Sequence, residues 1–414
     1  MSRRLLFFTD TEGVGGSEKY LVDMISAMIK KGDWVSLLCH ENSSFVNYVC
    51  QQTSGKCQIT AMYFPSVTRS QILQKGLALN RSWNNRFSFL KGPGQLIYYF
   101  NLILAFTRIR RFLRNNAPEI IHVVSGGYPA AESLRAAILA ARSCKIERRL
   151  LTFHNQAMPL LRGFSFLERW IDRKVENSLD GIIAASHSSL KLLVERRGFK
   201  PEHISLIYNG IMSGEYKGQN KTDLYRELSI SPEVKLIGTI GFLQPRKGHS
   251  YLIEAFKKIS VKFPKTHLLI IGSGPLADEL KERITALGLS GRVSMPGYLP
   301  NATRFLSAMD IFIFPSTGLE CLPYVILYGM DAALPIVATT VGGVEEQIQD
   351  GVTGRLVPPH DSLALAKAME ELLQDETSAA RLGLAARERV RTIFSLDQMV
   401  LQTNRMYSRS HENN

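Results

Sequence analysis

The sequence predicts two doubly wound parallel α/β domains, and three observations carry that expectation. The chain has 414 residues, more than one hydrophobic core usually organises, so two domains of about 200 residues each are expected. Short apolar runs alternate with helix-period segments from end to end. These runs lack polar alternation, as strands do when both faces of a parallel sheet are covered by helices. The composition, 45% hydrophobic and 21% charged, is that of a globular chain and excludes a disordered, collagen-like or disulfide-dense scaffold.

The first run, RRLLFFT, follows a basic start and stops at Asp10. It is too short for a signal-peptide core or a membrane span and reads as the first buried strand. WVSLLC, EIIHVVS, RRLLTFH and GIIAAS continue the first half, and KLIGTIG, HLLIIG, VSMPG, IFIFPS and PIVATT build the second. A polar, breaker-rich stretch at 212–233 marks the junction. The expected domains are therefore 1–212 and 213–394. Residues 395–414 begin with an amphipathic helix capped by Ser395, expected to pack back on the first domain.

Five cysteines without metal-ligand spacing suit reduced thiols in a cytosolic protein, and no metal site is indicated. Charge is uneven. Residues 1–210 hold 28 Lys and Arg against 15 Asp and Glu, whereas the remainder holds 22 against 22. A basic first half suits an anionic partner such as a membrane surface, a phosphate-bearing acceptor or nucleic acid; a solvated surface is the plain alternative. Gly94 to Asn116 is apolar and then Arg-rich. It fits either a peripheral helix at a membrane interface or a core helix before the strand EIIHVVS.

Each half opens with a strand, a glycine-rich turn and a helix, a layout that aims backbone N–H groups at an anion. In the first half the turn holds Gly13, Gly15 and Gly16. Its spacing is not G-x-G-x-x-G, so a dehydrogenase fingerprint is absent. In the second half Arg246 and Lys247 sit between a buried strand and a helix, where two cations suit a pyrophosphate. Further on, Pro323 suits a first helical position and leaves the N–H groups of Cys321 and Leu322 free to face a phosphate.

These pieces, in this order, resemble the retaining family 4 glycosyltransferases of GT-B fold. GGSEKYL is similar to that family's N-terminal loop, TFHN with His154 to its strand end, and LIYNGI to the stretch before the junction. TIGFLQPRKGHSYLIEAF, IIGSGPLADEL, SMPGYLP, MDIFIFPS and PIVATTVGGVEEQIQDGVTGRLVPPHD resemble consecutive donor-domain blocks. The family motif has two glutamates separated by seven residues. Here Glu320 occupies the first position, Tyr328 stands at the second, and Gly329 and Asp331 follow where small residues are usual.

The resemblance implies two Rossmann-like domains facing across a cleft, and metal-independent transfer of a hexose-type sugar from a UDP- or GDP-sugar. The acceptor is lipid-linked or a saccharide, in cell-surface polysaccharide or lipopolysaccharide assembly, with retained anomeric configuration. It also implies roles. Glu320 meets the donor sugar hydroxyls, and the backbone through Leu322, Pro323, Tyr324 and Val325 meets the pyrophosphate. Tyr328 meets the ribose, about 7 Å further along the helix, but cannot accept two hydrogen bonds as a carboxylate does. Arg246 and Lys247 neutralise the departing diphosphate, the work a divalent cation does elsewhere. Gly15 and Gly16 face the distal phosphate, Tyr298 and Leu299 flank the base, and His154 lies under the sugar ring. No cofactor is implied. Glu346 ties its loop and helix together, and His122, His187, His203 and His249 read as structural or surface residues.

Tyr328 motivates an alternative, a GT-B protein that binds a nucleotide or partner with little catalysis; an epimerase acting on a UDP-sugar is a third. Nucleic acid is not expected, because no aromatic platform or recognised motif accompanies the basic half. The expected location is cytoplasmic, with possible peripheral contact at the membrane face.

Overall fold

The computed structural model describes residues 2–11, 15–41, 43–63, 92–129, 132–161, 164–214, 220–318 and 320–408, without the side chains of 43, 44 and 92–98. Gly13 and residues 215–219 of the expected junction therefore lie outside the described residues. The chain divides into two compact units, Met1–Ile207 with Val400–Asn414, and Tyr208–Met399. The division falls before 212 because Tyr208 packs its ring 5.2 Å from Phe394 and Ile211 pairs with Ser395.

The first unit holds β1 (Arg4–Thr9), α1 (Gly16–Lys30), β2 (Trp34–His40), α2 (Ser43–Gln52), β3 (Gln58–Met62), α3 (Gly92–Asn116) and β4 (Ile120–Ser125). It continues with α4 (Glu132–Ser143), β5 (Arg148–Phe153), α5 (Ser165–Glu176), β6 (Gly181–Ala184), α6 (His187–Arg197) and β7 (Ile204–Leu206). The strands form one sheet in the order β3-β2-β1-β4-β5-β6-β7. All pairings are parallel, Phe7 of β1 standing opposite Leu37 of β2 and His122 of β4. Strand order reverses between β1 and β4, the place where doubly wound sheets open a crevice at their carboxyl edge.

Helix α3 buries Ala105, Ile109 and Leu113, one stripe at helical spacing, in the core. The core-helix alternative for this segment therefore holds for that face. Four charges are also buried. Arg135 of α4 and Arg197 of α6 close on Glu168 and Asp172 of α5; Asp172 receives Arg135 at 2.8 Å and Arg197 at 2.6 Å, and Glu168 receives Arg197 at 3.1 Å. Tyr128 adds a hydroxyl bond to Asp172 at 2.7 Å, with both guanidinium groups over its ring. No charge in this cluster is uncompensated, as burial demands.

The second unit holds α7 (Lys221–Glu227), β8 (Lys235–Ile240), α8 (His249–Lys262), β9 (Thr266–Ile271), α9 (Ala277–Ala286), β10 (Val293–Gly297), β11 (Ile311–Phe314), α10 (Tyr324–Asp331), β12 (Ile336–Thr339), α11 (Val344–Gln347) and β13 (Arg355–Val357). Helices α12 (Ser362–Gln374) and α13 (Glu376–Ile393) close it, and α14 (Leu396–Ser408) returns to the first unit. The sheet is parallel, in the order β10-β9-β8-β11-β12-β13, reversing between β8 and β11. Ser395 caps α14 by accepting the Gln398 N–H at 3.3 Å. Within the first unit, Arg3 donates to Asn404 at 2.7 Å, and the Tyr407 hydroxyl lies 2.6 Å from His122 Nδ1. His122 is a core residue, also bonded to Thr152 at 2.7 Å, and burial takes its imidazole down to about 3. No helix among the described residues is long and apolar enough to cross a membrane.

Candidate active site

The second unit's reversal point gathers its charges. After β8 the chain makes a 3-10 turn, Pro245–Lys247, and enters α8 through Gly248, whose φ of +68° lies in the left-handed region. A Cβ there would come within 1.9 Å of the Pro315 carbonyl oxygen, so only glycine lets the two loops meet. The loop after β11 is then pinned to the first, Thr317 N–H and Gly318 N–H donating to the Arg246 carbonyl at 2.7 and 3.1 Å.

That clasp brings Glu320 onto the two cations. Its Oε1 accepts from Arg246 Nη1 at 2.6 Å and from Lys247 Nζ at 2.7 Å. Ser316 Oγ lies 2.8 Å from Glu320 Oε1 and also 2.8 Å from the Arg246 carbonyl oxygen, so its one proton can serve either. Ser316 was not expected from the sequence; its only signal is a hydroxyl just past an apolar strand run. Burial lowers the Lys247 ammonium from its usual range, and Glu320 partly restores it. Its Nζ also lies 5.3 Å from the Phe314 ring centroid. Two cations on one carboxylate leave a net positive site, and the Arg246 side chain remains 41% exposed. Neighbouring His249 is buried, and burial followed by Lys247 takes it down to about 4.

From Glu320 the chain runs into α10. Pro323 is the cap of that helix, with φ −61°, and Tyr324 begins it, one residue later than the sequence suggested. Asn209 donates to the Leu322 carbonyl at 3.2 Å and Gln347 to the Pro323 carbonyl at 3.0 Å, holding the strap from two sides. The first N–H groups of α10 have no intrahelical acceptor and carry the positive end of its dipole. Val325 is half-buried, Tyr324 and Tyr328 are buried, and the two tyrosine rings lie 6.4 Å apart. Asp331 has its own structural use, accepting Ser213 Oγ at 2.8 Å and Gly214 N–H at 2.6 Å.

Tyr298 and Leu299 follow β10, the edge strand two places from β8; Tyr298 is exposed and Leu299 half-buried. Glu346 hydrogen-bonds Tyr208, whose hydroxyl burial and that partner push up to about 12. In the first unit, Gly15 caps α1 and Gly16 starts it, after β1. His154 follows β5, its N–H donating to the Ser125 carbonyl at 2.9 Å and its ring 4.4 Å from Tyr20. Direct bonds thus join Arg246, Lys247, Ser316 and Glu320. Leu322 to Tyr328 continue the same strap, while His154, Gly15 and Gly16 share the carboxyl edge of the other sheet. Among the described residues no group of three or more His, Cys, Asp or Glu is placed to hold a metal ion.

Two parallel Rossmann-like sheets, each with a strand-order reversal, define the GT-B fold. Residues 14–213 match the model of Glycosyltransferase Family 4 and residues 220–389 that of Glycosyl transferases group 1. The chain belongs to this glycosyltransferase family.

N-acetyl-alpha-D-glucosaminyl L-malate synthase of Bacillus anthracis is 30% identical over 257 residues, 62% of this chain and 66% of that protein. Phosphatidyl-myo-inositol mannosyltransferase of Mycolicibacterium smegmatis is 28% identical over 68% of this chain and 69% of its own length. The structure of Anabaena HepE in complex with UDP shares the fold at a TM-score of 0.74 and 20% identity, covering 98% of this chain and 99% of that one.

Proposed function

We propose that this glycosyltransferase moves a hexose-type sugar from a UDP- or GDP-sugar to a lipid-linked or saccharide acceptor in cell-surface polysaccharide or lipopolysaccharide assembly. The carrying observation is the Arg246–Glu320–Lys247 cluster, net positive and clasped at the reversal point of its sheet. The UDP in the HepE structure favours a uridine donor. The mannosyltransferase relative, named for a phosphatidyl-inositol, favours a lipid acceptor.

In this reading the diphosphate sits against Arg246 and Lys247 and the first N–H groups of α10. Fixed positive groups there stabilise the charge that grows as the glycosidic bond to phosphate breaks, with no metal required. Glu320 exchanges part of its pairing with the cations for the sugar hydroxyls, and Ser316 holds its orientation. Leu322, Pro323, Tyr324 and Val325 line the diphosphate, Tyr328 meets the ribose, and Tyr298 and Leu299 flank the base. His154, Gly15 and Gly16 serve the sugar and distal phosphate. The acceptor oxygen attacks the face the diphosphate leaves, and the leaving phosphate takes its proton, so configuration is retained.

Incubation with UDP- and GDP-sugars and a lipid-pyrophosphate acceptor should release nucleoside diphosphate, with an anomeric signal in the product matching the donor. Absence of turnover across a broad panel would overturn the reading. Tyr328 supports the alternative of a nucleotide-binding protein with little catalysis. Nucleotide binding measured by calorimetry, with no turnover in either the wild type or Tyr328→Glu, would select that alternative.

A further inference from the structure

Helix α5 carries three acidic residues, Glu168, Asp172 and Glu176, spaced four apart. That spacing puts them on one face, and the structure turns that face inward. Glu168 and Asp172 are taken by Arg135 and Arg197, while Glu176 receives the Lys200 N–H at 2.7 Å and lies 3.0 Å from His203 Nδ1. With the acids consumed inside, the outward face presents Phe166, Arg169, Trp170, Arg173 and Lys174.

Phe166 is 84% exposed and Trp170 53%. Lys174 stands 5.7 Å from the Trp170 ring centroid, and neither Arg169 nor Arg173 forms an ion pair among the described residues. Next to this face, Phe164 at the mouth of α5 lies 5.8 Å from Tyr99 of α3. The residues after Tyr99 leave Phe100 and Ile103 exposed as well, at 60% and 58%. A helix that joins parallel strands begins above their carboxyl edge, so the aromatic end of α5 shares that edge with His154.

We infer that the outward face of α5 is a docking surface for an anionic lipid bilayer, seated with Phe166 and Trp170 at the headgroup boundary and Arg169, Arg173 and Lys174 on lipid phosphates. Two aromatic rings beside cations, with no outward acid, are what an interfacial helix presents. A phosphodiester strand in solution would satisfy the cations but leave Phe166 in water, whereas a headgroup layer above an acyl layer takes both. The inference deepens the lipid-acceptor part of the proposed function and rests on it for its purpose. It also turns the carboxyl edge that carries His154 toward the membrane supplying the acceptor.

Sedimentation with vesicles of phosphatidylglycerol and phosphatidylcholine, at low and at high salt and without nucleotide, tests it. Wild type should bind the anionic vesicles and release them in salt, as screened charges do. Phe166→Ser/Trp170→Ser and, separately, Arg169→Glu/Arg173→Glu should each weaken binding roughly tenfold or more, with thermal melting unchanged because these side chains face outward. With Trp34 and Trp83 replaced by Phe, Trp170 remains the sole tryptophan. Its emission should then shift to the blue and be quenched by brominated lipid.

No wild-type binding at low salt overturns the inference. So does equal binding by both variants, or binding to heparin with no quenching of Trp170 by lipid. Turnover with no vesicle binding removes this inference alone, and vesicle binding with no turnover removes the proposed chemistry alone.

Discussion

Each unit holds a cluster of opposite charges, and the two clusters are built on different arithmetic. In the first, two arginines meet two carboxylates, every member is buried, and a tyrosine closes the set. In the second, Arg246 and Lys247 converge on a single oxygen of Glu320 and one of the cations stays open to solvent. A balanced, sealed cluster has no attraction left for a ligand and serves to fix α4, α5 and α6. An unbalanced, open one keeps positive potential in reserve and is suited to an incoming diphosphate. Residue type alone does not separate the buried structural cluster from the one proposed to take a diphosphate; stoichiometry and access do.

The largest expected effect tests the sealed cluster. Asp172→Ala leaves Arg135 and Arg197 under-compensated and should lower the unfolding free energy by about 3–5 kcal/mol in urea titration; a loss below about 1 kcal/mol would break the contrast. Lys247→Ala acts on the open cluster. It should reduce kcat by roughly 10²–10³-fold in nucleotide-release assays, while its denaturation midpoint moves far less than that of Asp172→Ala. Tyr328→Glu should tighten nucleotide binding roughly tenfold or more, since a carboxylate adds a charge-assisted pair of about 1.5–3 kcal/mol. Calorimetry with UDP checks it, and unchanged affinity would place the ribose elsewhere.

Per pH unit, the most gradual effect is a slope in stability. Glu132 opens α4, buried near Asp10, and burial raises its carboxyl to about 8 from 4.5. Between those values the folded protein binds the extra proton, so this group favours the fold at low pH and its contribution is lost as pH rises toward 8. The slope for one proton is at most about 1.4 kcal/mol per pH unit. Urea midpoints of Glu132→Gln measured from pH 5 to 8 should decline less than those of the wild type; parallel declines would remove Glu132 as the source.

The strands that could be read from the sequence were those covered on both faces, such as β1, β4, β8 and β11, because burial makes them continuous apolar runs. Those not anticipated, β3, β7 and β13, all lie at sheet edges, where part of the strand is exposed and the run breaks up. At the site, adjacent Arg246 and Lys247 were visible because they share one turn. The Ser316 contact depends on two loops separated by some seventy residues, a pairing set by the clasp at Gly248. The buried quartet was not anticipated from the sequence. The spacing of Glu168, Asp172 and Glu176 points to one helix face, but the arginines that turn it inward come from other helices.

Helix α14 ends in the first unit, where Tyr407 bonds His122 inside the core. The half of the chain that leaves the ribosome first therefore waits for its last buried ring until the whole second unit has been translated. In the interval His122 stands without that partner. A chain cut after residue 399 would keep every residue of the second unit yet leave the first without the ring that completes its core.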